Sequence, residues 1–197
     1  MLKNRIITAL AIAFVALAAI FLLPLWAFSL FFLAAAGFGV FEWAGFAGLE
    51  TLRAKLLYTG LFLLMAAGLY LLKAYFADFI GLVSMLWMCA IASILLYPTG
   101  EFLFKNQWFV GALGLVIMLG AWVSLSMLRA HDQGALWLVW LFVLTTATDV
   151  GAYFVGKAFG KNRLAAQLSP GKTWEGAIGG CVIATLICAS ALMFWQS

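Results

Sequence analysis

The residues of this chain that could do chemistry are concentrated between positions 148 and 180. Asp149, Tyr153 and Lys157 are spaced i, i+4, i+8, so on a helix they share one face. A carboxylate within an apolar helix is unfavourable by at least about 2.5 kcal/mol at a bilayer centre, so Asp149 needs a partner or a task. It is either a metal ligand or acid/base group, or it makes an interhelical hydrogen bond or pairs with a basic group. Tyr153 and Lys157 are weaker signals, because an aromatic ring and a snorkelling lysine are common at a membrane interface. Lys157, Lys161 and Arg163 then form a short basic segment, which points to phosphate chemistry beside Asp149.

Residues 169–176, Ser-Pro-Gly-Lys-Thr-Trp-Glu-Gly, bring hydroxyls, a lysine, glycines and a carboxylate to the expected start of the last apolar run. A helix N-terminus has free N–H groups and a positive dipole end, and so attracts anions. Gly171 would let backbone approach a phosphate, Lys172 would supply charge, and Ser169 and Thr173 could donate hydrogen bonds. Plain capping is the simpler alternative, with Ser169 as N-cap, Pro170 at the first helical position and Glu175 beside the dipole. Capping leaves Gly171 and Lys172 unexplained. Gly171-Lys172-Thr173 is not a P-loop, since the required first glycine is Ala166 and no strand is expected before it. Gly156 with Gly160, and Gly176 with Gly180, fit G-x-x-x-G and predict close helix packing.

The elements that must position these residues are membrane helices. Of the 197 residues, 67% are hydrophobic and only 9% are charged, with a mean hydropathy of +1.14, which excludes a water-soluble globular domain. A bilayer leaves backbone groups no water to bond, and the alternating segments of a barrel are absent, so an all-α polytopic transmembrane bundle is expected as one domain over residues 1–197. Seven spans are predicted, at about 6–23, 25–41, 56–72, 79–97, 108–128, 135–156 and 174–195. The basic start followed by a first span is read as a retained anchor. Residues 42–55, with Glu42, Glu50, Arg53 and Lys55 among Trp43, Phe46 and Leu49, suit a short helix lying in the interface. Asp149 then sits roughly 10 Å below the end of its span. Cys89, Cys181 and Cys188 lie in apolar runs without metal-type spacing and are expected as small buried hydrophobes. His131, the only histidine, falls in a short solvated loop with Arg129 and Asp132.

Cytoplasmic loops carry the excess of Lys and Arg. With a cytoplasmic N-terminus that side receives Lys3, Arg5, Arg53, Lys55, Lys105, Lys157, Lys161, Arg163 and Lys172, nine of the 11, leaving Lys73 and Arg129 outside. The loop after Asp149 is therefore expected in the cytosol, where nucleotides reach it.

The run Thr148-Asp149-Val150-Gly151-Ala152-Tyr153, with Gly156-Lys157 and Phe159-Gly160, and then Leu168-Ser169-Pro170-Gly171-Lys172-Thr173-Trp174-Glu175-Gly176, resembles the phosphatidate cytidylyltransferases, or CDP-diacylglycerol synthases. Residues 41–49, containing Glu42-Trp43-Ala44, are similar to a family segment as well, whereas the earlier spans agree only in hydropathy. The resemblance implies transfer of a cytidylyl group from CTP to phosphatidate at the cytosolic face of a bacterial inner membrane, giving CDP-diacylglycerol and pyrophosphate with Mg²⁺ required. In that reaction Asp149, Lys172 and Glu175 are expected as the catalytic set, Asp149 at the metal or orienting the phosphate site, and Glu175 at the metal or supporting the residues around it. Tyr153, Lys157, Lys161, Arg163, Ser169, Gly171 and Thr173 would bind substrate. The partners implied are CTP, phosphatidate and membrane lipid, with a homodimer left open and no nucleic acid. Family members continue into a further signature rich in metal-binding carboxylates, so the chain ending at Ser197 is read as truncated or shortened and is expected to lack turnover alone. Two other classes compete. A CTP-dependent polyprenol or dolichol-type kinase would also join many spans to a basic cytosolic loop, but would release CDP. A small-solute transporter would need midplane binding residues on several helices, which the first five spans do not offer.

Overall fold

The computed structural model describes residues 2–95, 105–165 and 169–195, so residue 97, Ala166, Leu168 and Ser197 lie outside the described residues. Seven long helices are found among those described: α1 (Leu2–Leu22), α2 (Leu25–Phe46), α3 (Leu52–Leu71), α4 (Phe76–Leu95), α5 (Gln107–Ala130), α6 (Gly134–Phe159) and α7 (Trp174–Trp195). Six of them are long and apolar enough to cross a membrane, and the apolar stretch of α1, Ile7–Leu22, is shorter. Large apolar side chains such as Phe14, Phe38, Leu64 and Met88 stand exposed on the helix surfaces, as hydrocarbon solvent allows and water does not. The chain folds as two compact units, Met1–Gly134 and Ala135–Ser197.

In the first unit Pro24 sets the break between α1 and α2, and its carbonyl accepts the Phe28 N–H at 2.9 Å to open α2. Thr51 caps α3 by accepting the Ala54 N–H at 3.2 Å, and Asn106 caps α5 by accepting those of Trp108 and Phe109. The core packs Val40 and Ala44 of α2 against Tyr58, Phe62 and Ala66 of α3 and Leu115, Leu119, Trp122 and Val123 of α5. Polar tips inside it find backbone acceptors, since no water is available there. Tyr58 Oη donates to the Gly111 carbonyl at 2.5 Å and Trp122 Nε1 to that of Ser29 at 3.0 Å. Arg129, expected only as an outer-loop charge, donates to the carbonyls of Ile20 and Leu23 and so closes the C-terminal end of α1.

The interfacial helix expected over residues 42–55 does not form. α2 continues to Phe46 and ends in a Schellman turn: Gly48, at φ +74°, donates to the Gly45 carbonyl, and Leu49 donates to that of Ala44. Only residues 47–51 separate α2 from α3. Trp43 lies within α2 and donates its indole N–H to the Val110 carbonyl of α5 at 2.9 Å. The three cysteines also differ from expectation, being exposed on their helices. Lipid tails are as apolar as a helix core, so an apolar run does not say which face a cysteine takes.

The second unit holds α6, two short strands and α7. β1 (Arg163–Ala165) pairs antiparallel with β2 (Ser169–Thr173), joining Arg163 to Thr173 and Ala165 to Ser169 across an irregular step. Ser169 is therefore not an N-cap, and a strand does precede Gly171, contrary to expectation. Gly and Pro are the poorest helix formers, and Pro170 without an N–H is tolerated on an edge strand, so α7 starts only at Trp174. Thr173 caps it by accepting the Gly176 N–H at 3.2 Å.

Candidate active site

α6 presents Asp149, Tyr153 and Lys157, all exposed, on the face their spacing requires. The helix runs on to Phe159, so Asp149 lies ten residues, ~15 Å, from its C-terminal end. Lys157 Nζ sits 5.8 Å from the centroid of the Tyr153 ring, in cation–π range.

Small residues bring α7 against α6. A Cβ at Gly176 would stand 2.7 Å from the Ala152 carbonyl oxygen and 3.1 Å from Gly156 Cα, and one at Gly180 would stand 3.2 Å from the Thr148 carbonyl oxygen. Gly156 with Gly176 and Gly180 thus forms the seam between the two helices, whereas Gly160 lies past the end of α6 and faces the Thr173 side chain. Thr173 fills the gap at its upper end, with Oγ1 3.0 Å from where a Gly156 Cβ would be. Its hydroxyl accepts the capping bond and still has a proton to donate.

This seam and the hairpin enclose a cavity of ≈ 870 Å³. α6 lines it with Asp149, Tyr153, Gly156 and Lys157, β2 with Ser169, Gly171, Lys172 and Thr173, and α7 with Gly176 and Ala177. Seven of the ten residues singled out from sequence are thereby brought together. Two lysines against one aspartate leave the lining at +1, suited to an anion. A Cβ at Gly171 would meet nothing within 4 Å, so the strand is open to a ligand there.

Lys161, Arg163 and Glu175 are not among the lining residues. Lys161 and Arg163 are exposed. The Glu175 carboxylate accepts hydrogen bonds from Asn162, whose Nδ2 lies at 2.9 Å and whose backbone N lies at 3.2 and 3.3 Å from its two oxygens. Asn162 is the residue that sequence reasoning passed over; its only signal is that it is the neutral, turn-favouring residue between two cations. Among the described residues no group of three His, Cys, Asp or Glu side chains could hold a metal ion. His131 is exposed, with Nδ1 2.7 Å from the Asp132 carbonyl oxygen.

Residues 3–197 match the cytidylyltransferase family. The chain is 38% identical to the phosphatidate cytidylyltransferase of Pseudomonas aeruginosa over 180 residues, covering 91% of this chain and 66% of that protein. It is 33% identical to the enzyme of the same name from Haemophilus influenzae over 206 residues, covering 95% and 71%. The Bacillus subtilis protein of that name is 35% identical over 104 residues, half of this chain. The chain thus spans about two thirds of the length of the first two relatives. No solved structure matches it.

Proposed function

This chain belongs to the cytidylyltransferase family, and on that premise we propose that the protein transfers a cytidylyl group from CTP to phosphatidate, releasing pyrophosphate and leaving CDP-diacylglycerol in the membrane. The observation that carries the reading is the cavity in which Lys157, Lys172, Ser169 and Thr173 meet Asp149 beside apolar helices. It offers an anion site within reach of a lipid headgroup.

In the reaction a phosphatidate oxygen attacks the α-phosphorus of CTP, and the bond to the β-phosphate oxygen breaks to expel pyrophosphate. Two polyanions must approach, so positioning and positive charge supply most of the catalysis. Lys172 and Lys157 neutralise phosphate oxygens, and Ser169 and Thr173 donate hydrogen bonds to them. Gly171 leaves the backbone beside Lys172 accessible to the triphosphate. Lys161 and Arg163, outside the cavity, attract anionic lipid or nucleotide to its mouth.

Mg²⁺ fits this lining in a limited way, because it is bound through one or two carboxylates with substrate phosphates completing its shell, and Asp149 is the one carboxylate lining the cavity. When bound it would offset triphosphate charge. Asp149 otherwise orients the phosphate-binding side chains.

The distribution of Lys and Arg supports a cytosolic hairpin, and the relatives support a bacterial membrane location. The protein from its complete reading frame, supplied with CTP, Mg²⁺ and phosphatidate, should release pyrophosphate only when phosphatidate is present. Release of CDP instead would identify a lipid kinase and refute the assignment.

A further inference from the structure

Glu175 is the second carboxylate of Ala135–Ser197, and it is the one that does not line the cavity. A carboxylate has about four lone-pair sites, and three contacts to one residue already occupy the two oxygens of Glu175: Asn162 Nδ2 at 2.9 Å and the Asn162 backbone N–H shared at 3.2 and 3.3 Å. The Asn162 carbonyl in turn accepts the Trp174 N–H at 3.0 Å. Asn162 immediately precedes β1, while Trp174 and Glu175 immediately follow β2. These bonds therefore join the two feet of the hairpin. The hairpin needs such a tie, because its ladder has two Cα pairs separated by an irregular step, and two-stranded hairpins are marginal by themselves.

We propose that Glu175 and Asn162 form a clasp that positions the hairpin, holding Ser169, Gly171 and Lys172 at the cavity, and that Glu175 acts through Asn162 without touching metal or substrate. The inference rests on the function proposed above for that cavity. Of the two roles expected for Glu175, metal ligand or support of the residues around it, it selects the supporting one.

The test exploits the polarity of the bond. Glu175→Gln keeps an acceptor for the Asn162 donors. Asn162→Asp sets two carboxylates against each other, and Asn162→Asp combined with Glu175→Gln restores a bond with donor and acceptor exchanged. The protein from its complete reading frame is assayed for kcat and for KM toward CTP, and amide hydrogen exchange of residues 169–173 is followed without substrate. Loss of a hydrogen bond to a charged group should raise KM about tenfold or more in Asn162→Asp and speed hairpin exchange, with kcat less affected. Glu175→Gln should stay within about threefold of the unaltered protein, and the double variant should return both KM and exchange toward it. If Asn162→Asp does not fold, Glu175→Gln and the double variant decide the matter. A loss of about 100-fold or more in kcat for Glu175→Gln with unchanged exchange, unrelieved in the double variant, would overturn the clasp and make Glu175 a ligand of metal or substrate. An unaltered protein that forms no CDP-diacylglycerol would refute the proposed function alone; exchange would still decide the clasp.

Discussion

Lys172→Ala should be far more damaging than Lys161→Ala, although the two lysines lie in one basic loop region. Both lysines are exposed, but Lys172 lines the cavity on β2 beside Gly171, where there is room for an anion, whereas Lys161 is outside the lining. A charge-assisted hydrogen bond contributes roughly 1.5 to 3 kcal/mol, which is about 10- to 150-fold in kcat/KM if the contact persists in the transition state. Lys157 shares the cavity, but its amine is held over the Tyr153 ring, so it compensates only in part. An exposed charge is worth about 1 kcal/mol at most, or roughly fivefold, and is screened over about 10 Å at 0.1 M salt. Steady-state kinetics with CTP and phosphatidate in mixed micelles, at matched expression and thermal stability, should give the two ranges, and raising the salt should erase the Lys161 effect while leaving most of the Lys172 effect. Equal, small losses for both variants would refute the reasoning and leave β2 as a structural hairpin.

Gly176→Ala should destabilise the α6–α7 seam by about 1 to 3 kcal/mol, because the added methyl meets the Ala152 carbonyl oxygen and Gly156 Cα, both backbone. Gly171→Ala, with nothing within 4 Å, should leave thermal unfolding in detergent unchanged; equal midpoints for the two variants would contradict the packing described. Tyr58→Phe removes the bond to the Gly111 carbonyl and should lower stability by about 0.5 to 1.5 kcal/mol in the same assay, so an unchanged midpoint would mean that this bond is dispensable. In a background with Cys89, Cys181 and Cys188 replaced, a cysteine at position 161 should resist a membrane-impermeant thiol reagent in intact cells, and efficient labelling there would reverse the orientation.

Hydropathy is legible because a bilayer demands long apolar helices, so the helix order and approximate bounds could be read directly. The i, i+4, i+8 spacing likewise anticipated the shared face of Asp149, Tyr153 and Lys157. What escaped were features set by a few local bonds. The Schellman turn at Gly48 lets α2 run through Trp43 and Phe46, and no periodicity distinguishes that from a separate interfacial helix. Ser169 and Pro170 are as good at a helix start as on an edge strand, and pairing with Arg163–Ala165 decided between them. Glu175 and Asn162 show the same limit: residue type suggested chemistry for one and nothing for the other, while the structure ties them to each other.

The central claim is that the α-phosphorus of CTP is the one attacked, and label transfer tests it directly. The protein from its complete reading frame is given phosphatidate and Mg²⁺ with CTP carrying radiophosphorus at either the α or the γ position, and the lipid is extracted and counted. The account predicts label in the lipid from α-labelled CTP, and label in pyrophosphate but not in lipid from γ-labelled CTP. Lipid labelled from the γ position and not from the α position would contradict it.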